Sequence, residues 1–264
     1  MDKKDSQHAG PGQALAAAGA PAIQDMQGPT FVSKGTLPFC LAFVAGWYDV
    51  VCFQQYKCYA NMMTGNTLNM CMNVGNGKNF NDVALIVAAI LHFTGGFTFF
   101  KFLNLKMKNR GSCAVVAPLI FGLFALADVC RKKYPKSRWH MLLLAIAGGV
   151  INSVSAERAN LVSNMMTGHY QKLSSDCAEW LTKGLSKEQR ASAMVSVHLV
   201  ATFCSGVSLG MAAWNIKHPF TVLSRRRFAI IGAIYAALLL LHDLPANLFQ
   251  RRQKRVSSPS KDAE

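Results

Sequence analysis

Asn61-Met62-Met63-Thr64-Gly65 occurs twice in this chain, returning as Asn164-Met165-Met166-Thr167-Gly168. The same offset of 103 positions (164 against 61) aligns Gly46 with Gly149, Asp49 with Asn152, Val51 with Val154 and Ala60 with Ser163, without a gap. A constant offset held through an apolar segment is the mark of internal duplication. Each copy follows an apolar run and precedes a more polar stretch, which is where a membrane helix ends or breaks. Interruptions in corresponding places of two halves are the sequence pointer to a transport site.

Composition agrees with a membrane setting. Of the 264 residues, 51% are hydrophobic and only 16% charged, and the mean hydropathy is +0.20. That combination is too apolar and too poor in charge for an ordinary soluble domain. The net charge of +15 comes from Lys and Arg in short runs between apolar segments and near the C-terminus. This is the pattern of loops facing anionic lipid, and without zinc-finger spacing or an RNA-binding aromatic signature nucleic acid is not an expected partner. The eight cysteines form no C-x-x-C pair, and several fall inside apolar runs as small hydrophobes.

Six apolar spans are expected: 37–53, 83–100, 114–130, 141–155, 191–214 and 228 to about 248. Residues 54–77 are neither a good span nor a soluble loop, and non-helical backbone at membrane depth must be buried in protein or line water. The expectation is a broken or re-entrant segment in each half. Lys172 and Asp176, beside the second motif, argue against a full crossing there and for a surface helix or loop over 169–189. Aligning Gly96 with Gly206 takes an offset of 110 (206 against 96), so the second half carries an insertion of about seven residues before its fifth span.

Three spans per half is an odd number, so duplicated halves enter the membrane in opposite orientations. The expected fold class is all-α, a polytopic helical membrane protein built as two inverted three-helix repeats. The domains are then an N-terminal tail, 1–33, expected to be disordered, and a single membrane domain, 34–248, divided at 138/139. A basic C-terminal tail, 249–264, follows. Residues 1–33 have no sustained apolar core, so they do not read as a cleaved signal. A modest majority of the Lys and Arg falls on the face holding both termini, which favours a cytoplasmic location for them.

Gly46-Trp47-Tyr48-Asp49 followed by Ala60-Asn61-Met62-Met63-Thr64-Gly65-Asn66-Thr67 resembles the YoaK-like family of small multi-pass membrane proteins, a domain of unknown function. In that family a Gly-x-x-Asp helix leads to an Asn-x-x-Thr-Gly-Asn motif, and a second half carries Asn followed by a Met-Thr-Gly element. Gly149, Asn152, Met166, Thr167 and Gly168 match the latter. The match covers roughly residues 35–248. It implies a multi-pass membrane protein of unestablished substrate. Where a second Asn would follow Thr-Gly, this chain has His169.

The candidate pathway residues are Asp49, Asn61, Thr64, Gly65, Asn66, His92, Asn152, Asn164, Thr167, Gly168 and His198. An ionisable group inside a span faces an interior or a water path. Asp49 and its repeat partner Asn152 would offer one carboxylate and one amide of nearly the same shape, fit for one proton or cation. The competing reading is a helix-packing pair. Asn61, Thr64, Asn164 and Thr167 either cap a helix or, if half-helices start there, border free N–H groups that attract an anion or a carbonyl oxygen. Gly65 and Gly168 allow backbone shapes that other residues resist. The methionines of the motif suggest a copper path or plastic packing. His92 and His198, displaced by one helical turn in the repeat register, either carry substrate or protons or serve packing.

No catalytic motif is present and no cofactor is called for, so the chain is not read as an enzyme. The expected function is a secondary transporter or channel-like permease for a small solute or ion, coupled through Asp49 to a proton or cation. The rival is a non-transporting scaffold whose small-residue faces pack helices and whose basic tail binds membrane lipid or a partner. Homo-oligomerisation fits either.

Overall fold

The structure, a computed structural model, describes residues 31–107, 111–159, 166–215 and 226–257. The described residues form α-helices, with no strand among them: α1 (Leu37–Tyr56), α2 (Met63–Gly75), α3 (Phe80–Lys106), α4 (Ser112–Lys133), α5 (Met141–Ala159), α6 (Met166–Lys183), α7 (Lys187–Asn215) and α8 (Arg227–Ser257). At a rise of about 1.5 Å per residue, about 20 residues cross a hydrocarbon core. Five helices meet that length and composition, α1, α3, α4, α5 and α7, which is compatible with an integral membrane protein.

The sixth expected span lies in α8. That helix does not stop near 248: it continues through Arg251, Arg252, Lys254 and Arg255 to Ser257, because the segment holds helix formers and no glycine or proline. The basic tail, expected to begin at 249, is thus helical over its first half. The expectations for residues 1–30 and 258–264, and for Asn164, lie outside the described residues.

α1 and α5 form the centre. About two thirds of each is buried (67% and 61%), against 28% for α3 and for α7. The outer helices turn large apolar side chains outward, among them Leu91, Phe99 and Phe102 on α3, Leu119 and Phe121 on α4, and Leu209 on α7. Apolar surface of that extent is foreign to a soluble monomer and is what lipid tails cover.

Backbone contact between helices is made at glycine. A Cβ added to Gly46 on α1 would lie 2.3 Å from the Phe203 carbonyl oxygen on α7, and one on Gly206 would lie 1.9 Å from that of Phe43. On the other side, a Cβ on Gly149 of α5 would lie 2.0 Å from the Phe93 carbonyl oxygen on α3, and one on Gly96 would lie 2.2 Å from that of Ile146. The two crossings correspond residue by residue, at offsets of 103 for α1 and α5 and 110 for α3 and α7. Only glycine lets helices meet this closely. In each pair the helices run the same way. Phe39 meets His198 and Gln54 reaches Met211 along α1 and α7, while Gly96 meets Ile146 and Lys101 pairs with Glu157 along α3 and α5.

α4 and α8 run in opposite directions and cap each other. Asp128, near the end of α4, accepts from the Ala229 N–H at the start of α8 at 2.8 Å. Asp243 of α8 accepts from Cys113 N and Ala114 N, at the start of α4, at 2.7 and 3.1 Å. These two caps also correspond, at an offset of 115 (243 against 128, 229 against 114). A carboxylate at a helix N-terminus meets orphan N–H groups and the positive end of the dipole.

Candidate functional site

The first break begins where α1 ends. Lys57 takes the left-handed conformation (φ 54°) and its N–H closes on the Phe53 carbonyl, so the chain turns back. Asn66 holds the returning segment. Fully buried, it accepts from Tyr59 N at 2.8 Å and from the Cys58 thiol at 3.3 Å through Oδ1, and donates from Nδ2 to Tyr59 O at 2.7 Å. Its side chain is therefore committed to the turn, and it does not line the cavity. α2 then starts at Met63 with no side-chain cap. Its 13 residues extend about 20 Å at 1.5 Å each, too short to cross.

The second motif leads into α6, described from Met166 on. Met166 shares an apolar cluster with Ala42 and Ala45 of α1 and Leu199 and Phe203 of α7. Reciprocally, the first break lies on α5: a Cβ on Gly148 would be 2.6 Å from both the Ala60 carbonyl oxygen and Asn61 Oδ1. The turn after α1 thus touches α5 at Gly148, while α2 lies along α3 and α6 along α7. His169, the counterpart of Asn66, faces α7 through Nδ1 and the Ser196 hydroxyl at 3.3 Å. α6 carries the Lys172–Asp176 ion pair at 2.9 Å and exposes Tyr170, Trp180 and Leu181, the make-up of a surface helix, as expected for this stretch.

The start of α2 and the first described turn of α6 share one cavity of about 480 Å³, lined by Asn61, Met62, Met63, Thr64 and Gly65 from the first break, Met166, Thr167, Gly168 and Gln171 from α6, and Phe93 and Asn152 from α3 and α5. Asn61 is 5% exposed and neither of its side-chain atoms has a hydrogen-bond partner; Asn152 is 8% exposed with its Oδ1 unpartnered. Unmet buried polar atoms are uncommon and call for an explanation such as a missing ligand or water.

Asp49 lies behind this wall. It is buried, and its Oδ1 accepts from Asn61 N at 3.0 Å while its Oδ2 has no partner among the described residues. Asn61 thus connects the carboxylate, through its backbone, to the cavity that its side chain lines. Asp49 and Asn152 do occupy related places on α1 and α5, but only Asn152 lines the cavity.

The structure does not bring the two histidines to this site. His92 Nδ1 is 2.7 Å from the Ala88 carbonyl oxygen, and the residue borders a separate shallow groove with Leu91, Gly95, Gly96, Phe99 and Ile146. His198 Nδ1 is 2.7 Å from the Met194 carbonyl oxygen, and its ring is exposed beside Phe39. Both satisfy a ring nitrogen within their own helix, on the outer faces of α3 and α7. Among the described residues no group of three His, Cys, Asp or Glu is placed to hold a metal ion.

Two cavity residues escaped the sequence reading. Gln171 is four residues past Thr167 and so shares its helix face; Phe93 corresponds to Phe203 in the 110 register. Both signals were present in the sequence.

No curated protein and no solved structure matches the chain. The model of a family described as "Protein of unknown function (DUF1275)" matches residues 37–248, from the start of α1 into α8. This membrane-like helical chain belongs to that uncharacterised family.

Proposed function

We propose that the protein is a secondary transporter or channel-like permease for a small solute, built as an inverted repeat of two three-span units. The observation that carries the reading is the cavity that the two Met-Thr-Gly segments line together. Broken helices that meet between two halves are how repeat-built transporters make a site. The corresponding glycine crossings at offsets of 103 and 110, and the reciprocal Asp128 and Asp243 caps at 115, support the duplication. The antiparallel course of α4 and α8 supports the inversion.

Asp49 is the coupling residue in this reading. It has one carboxylate oxygen held and one free, one backbone link from the solute cavity, and Asn152 as a neutral counterpart. The test is uptake into proteoliposomes across a pH gradient, comparing wild type with Asp49→Asn. The variant is expected to lose the dependence on the gradient; unchanged gradient-driven uptake removes Asp49 from the mechanism. The scaffold reading draws on the close glycine crossings, which favour rigid packing. It calls for tight apolar packing where the two motifs meet, and an open space lies there instead.

A further inference from the structure

We infer that the cavity takes a small monocarboxylate, with its carboxylate at the start of α2 and its apolar body against the methionines and Phe93; this rests on the permease reading above. The polar end of the cavity is made by the N-terminus of α2, which begins at Met63 without a side-chain cap. First-turn N–H groups have no partner within their own helix, and the dipole puts positive potential there. Thr64 and Gly65 of that turn line the space, opposite Thr167 and Gly168 of α6. An anion at a helix N-terminus is a common arrangement.

A second observation, independent of the helix ends, points to a polar guest. Asn61 and Asn152 come from different segments, both are more than nine-tenths buried and both line the cavity; Asn61 keeps its amide nitrogen and oxygen unpartnered, and Asn152 its Oδ1. An amide presents two donors and an acceptor. The Asn61 N–H groups suit a carboxylate, and the Asn152 oxygen takes a hydroxyl or a bridging water.

The rest of the wall narrows the class. Among the described residues no Lys, Arg or His lines the cavity, so a dianion or a phosphate ester would meet no counter-charge from them. No described Asp or Glu lines it either, and a cation would meet the positive end of α2. Met62, Met63, Met166 and Phe93 leave apolar surface that a halide would not cover, in a volume of about 480 Å³. Methionine adapts to irregular apolar shapes. A short carbon chain with one carboxylate fits both ends.

The test is thermal unfolding of the full-length protein in detergent. Sodium propionate and sodium lactate are titrated against sodium chloride, propionamide and propylammonium chloride at matched ionic strength. The two carboxylates alone are expected to raise Tm in a saturable way, since a ligand of the folded state stabilises it. Asn61→Leu and Asn152→Leu are expected to weaken the apparent affinity about tenfold or more. Gly168→Leu, at a position where a Cβ meets nothing within 4 Å, should abolish the shift and leave the ligand-free Tm near wild type.

A shift absent from wild type, or one that survives Gly168→Leu, overturns the inference. So does a Gly168-dependent shift with propionamide or propylammonium, which would leave a permease for another solute class standing. Carboxylate binding without counterflow in proteoliposomes would support the ligand class and overturn the permease reading instead.

Discussion

Two asparagines five positions apart should behave in opposite ways, and the difference can be sized from their bonds. Asn66→Ala removes the Nδ2 bond to Tyr59 O, the Oδ1 bond from Tyr59 N and the contact with the Cys58 thiol. A typical hydrogen bond contributes about 1 kcal/mol net, and a buried group left unmet costs about 1 to 3 kcal/mol. Tyr59 is only partly buried, so water meets part of that loss and the change comes to about 2 to 3 kcal/mol. At about 1.4 kcal/mol per factor of ten, the turn opens on the order of 100-fold more often. Cys58 reports this directly. It is fully buried beside Asn66, and burial pushes its thiol up to about 11, so maleimide reaches it slowly in the closed state. With the exposed Cys71, Cys177 and Cys204 changed to serine, Asn66→Ala should label at Cys58 on the order of 100-fold faster than its parent. Asn61→Ala, which breaks no side-chain hydrogen bond, should leave that rate within about threefold, a change below 1 kcal/mol, while impairing solute uptake. Labelling unchanged in Asn66→Ala, or equally accelerated in both variants, would refute this division of roles.

Gly96→Ala should lower stability by about 1 to 3 kcal/mol through overpacking, since its Cβ would lie 2.2 Å from the Ile146 carbonyl oxygen; Gly95→Ala, with nothing within 4 Å, is the neutral control in the same melting experiment. Burial and the nearby Arg131 charge hold the His140 imidazole below its ordinary value of 6.5, so the unfolded chain binds a proton that the folded chain declines. This contribution to stability is full above pH 6.5 and lost as pH falls below it, and His140→Phe should flatten the slope of stability against pH between 7 and 5. Chains 1–138 and 139–264 expressed separately should aggregate, because each would expose glycine faces that the other half covers; co-expressed, they should elute together by size exclusion.

How much was legible follows from which signals are periodic. The constant offsets stand in the letters: 103 relates Gly46 to Gly149 and Asn61 to Asn164, and 110 relates Gly96 to Gly206. The helix start at Met63 follows from a motif of Asn, Thr and Gly after an apolar run. The direction of a side chain around its helix was not legible. His92 and Phe93 are neighbours in sequence, yet about 100° of helical turn points one at the outer groove and the other into the cavity. Asn66 has the composition of a site residue, and only the geometry of the turn gives it to Tyr59. The apolar pattern marks a span to about 248 and is silent on where the helix ends; Arg and Lys are good helix formers, and α8 runs on through them to Ser257.

The cavity lies where the turn after α1 meets α5 and where α6 approaches α1. Gly148 of α5 admits Ala60 and Asn61, and Met166 joins Ala42 and Ala45 of α1 in one apolar cluster, while α2 lies along α3 and α6 along α7. The residues that set this up are small, because a Cβ on Gly148 would collide with Ala60 and Asn61. What differs between the related places is Asp49 against Asn152. An arrangement kept for packing alone would gain nothing from a buried carboxylate with one oxygen unmet, a costly state in the absence of a partner. That inequality, set one backbone link from the cavity, is why the proposed function puts proton exchange at Asp49 and not at Asn152.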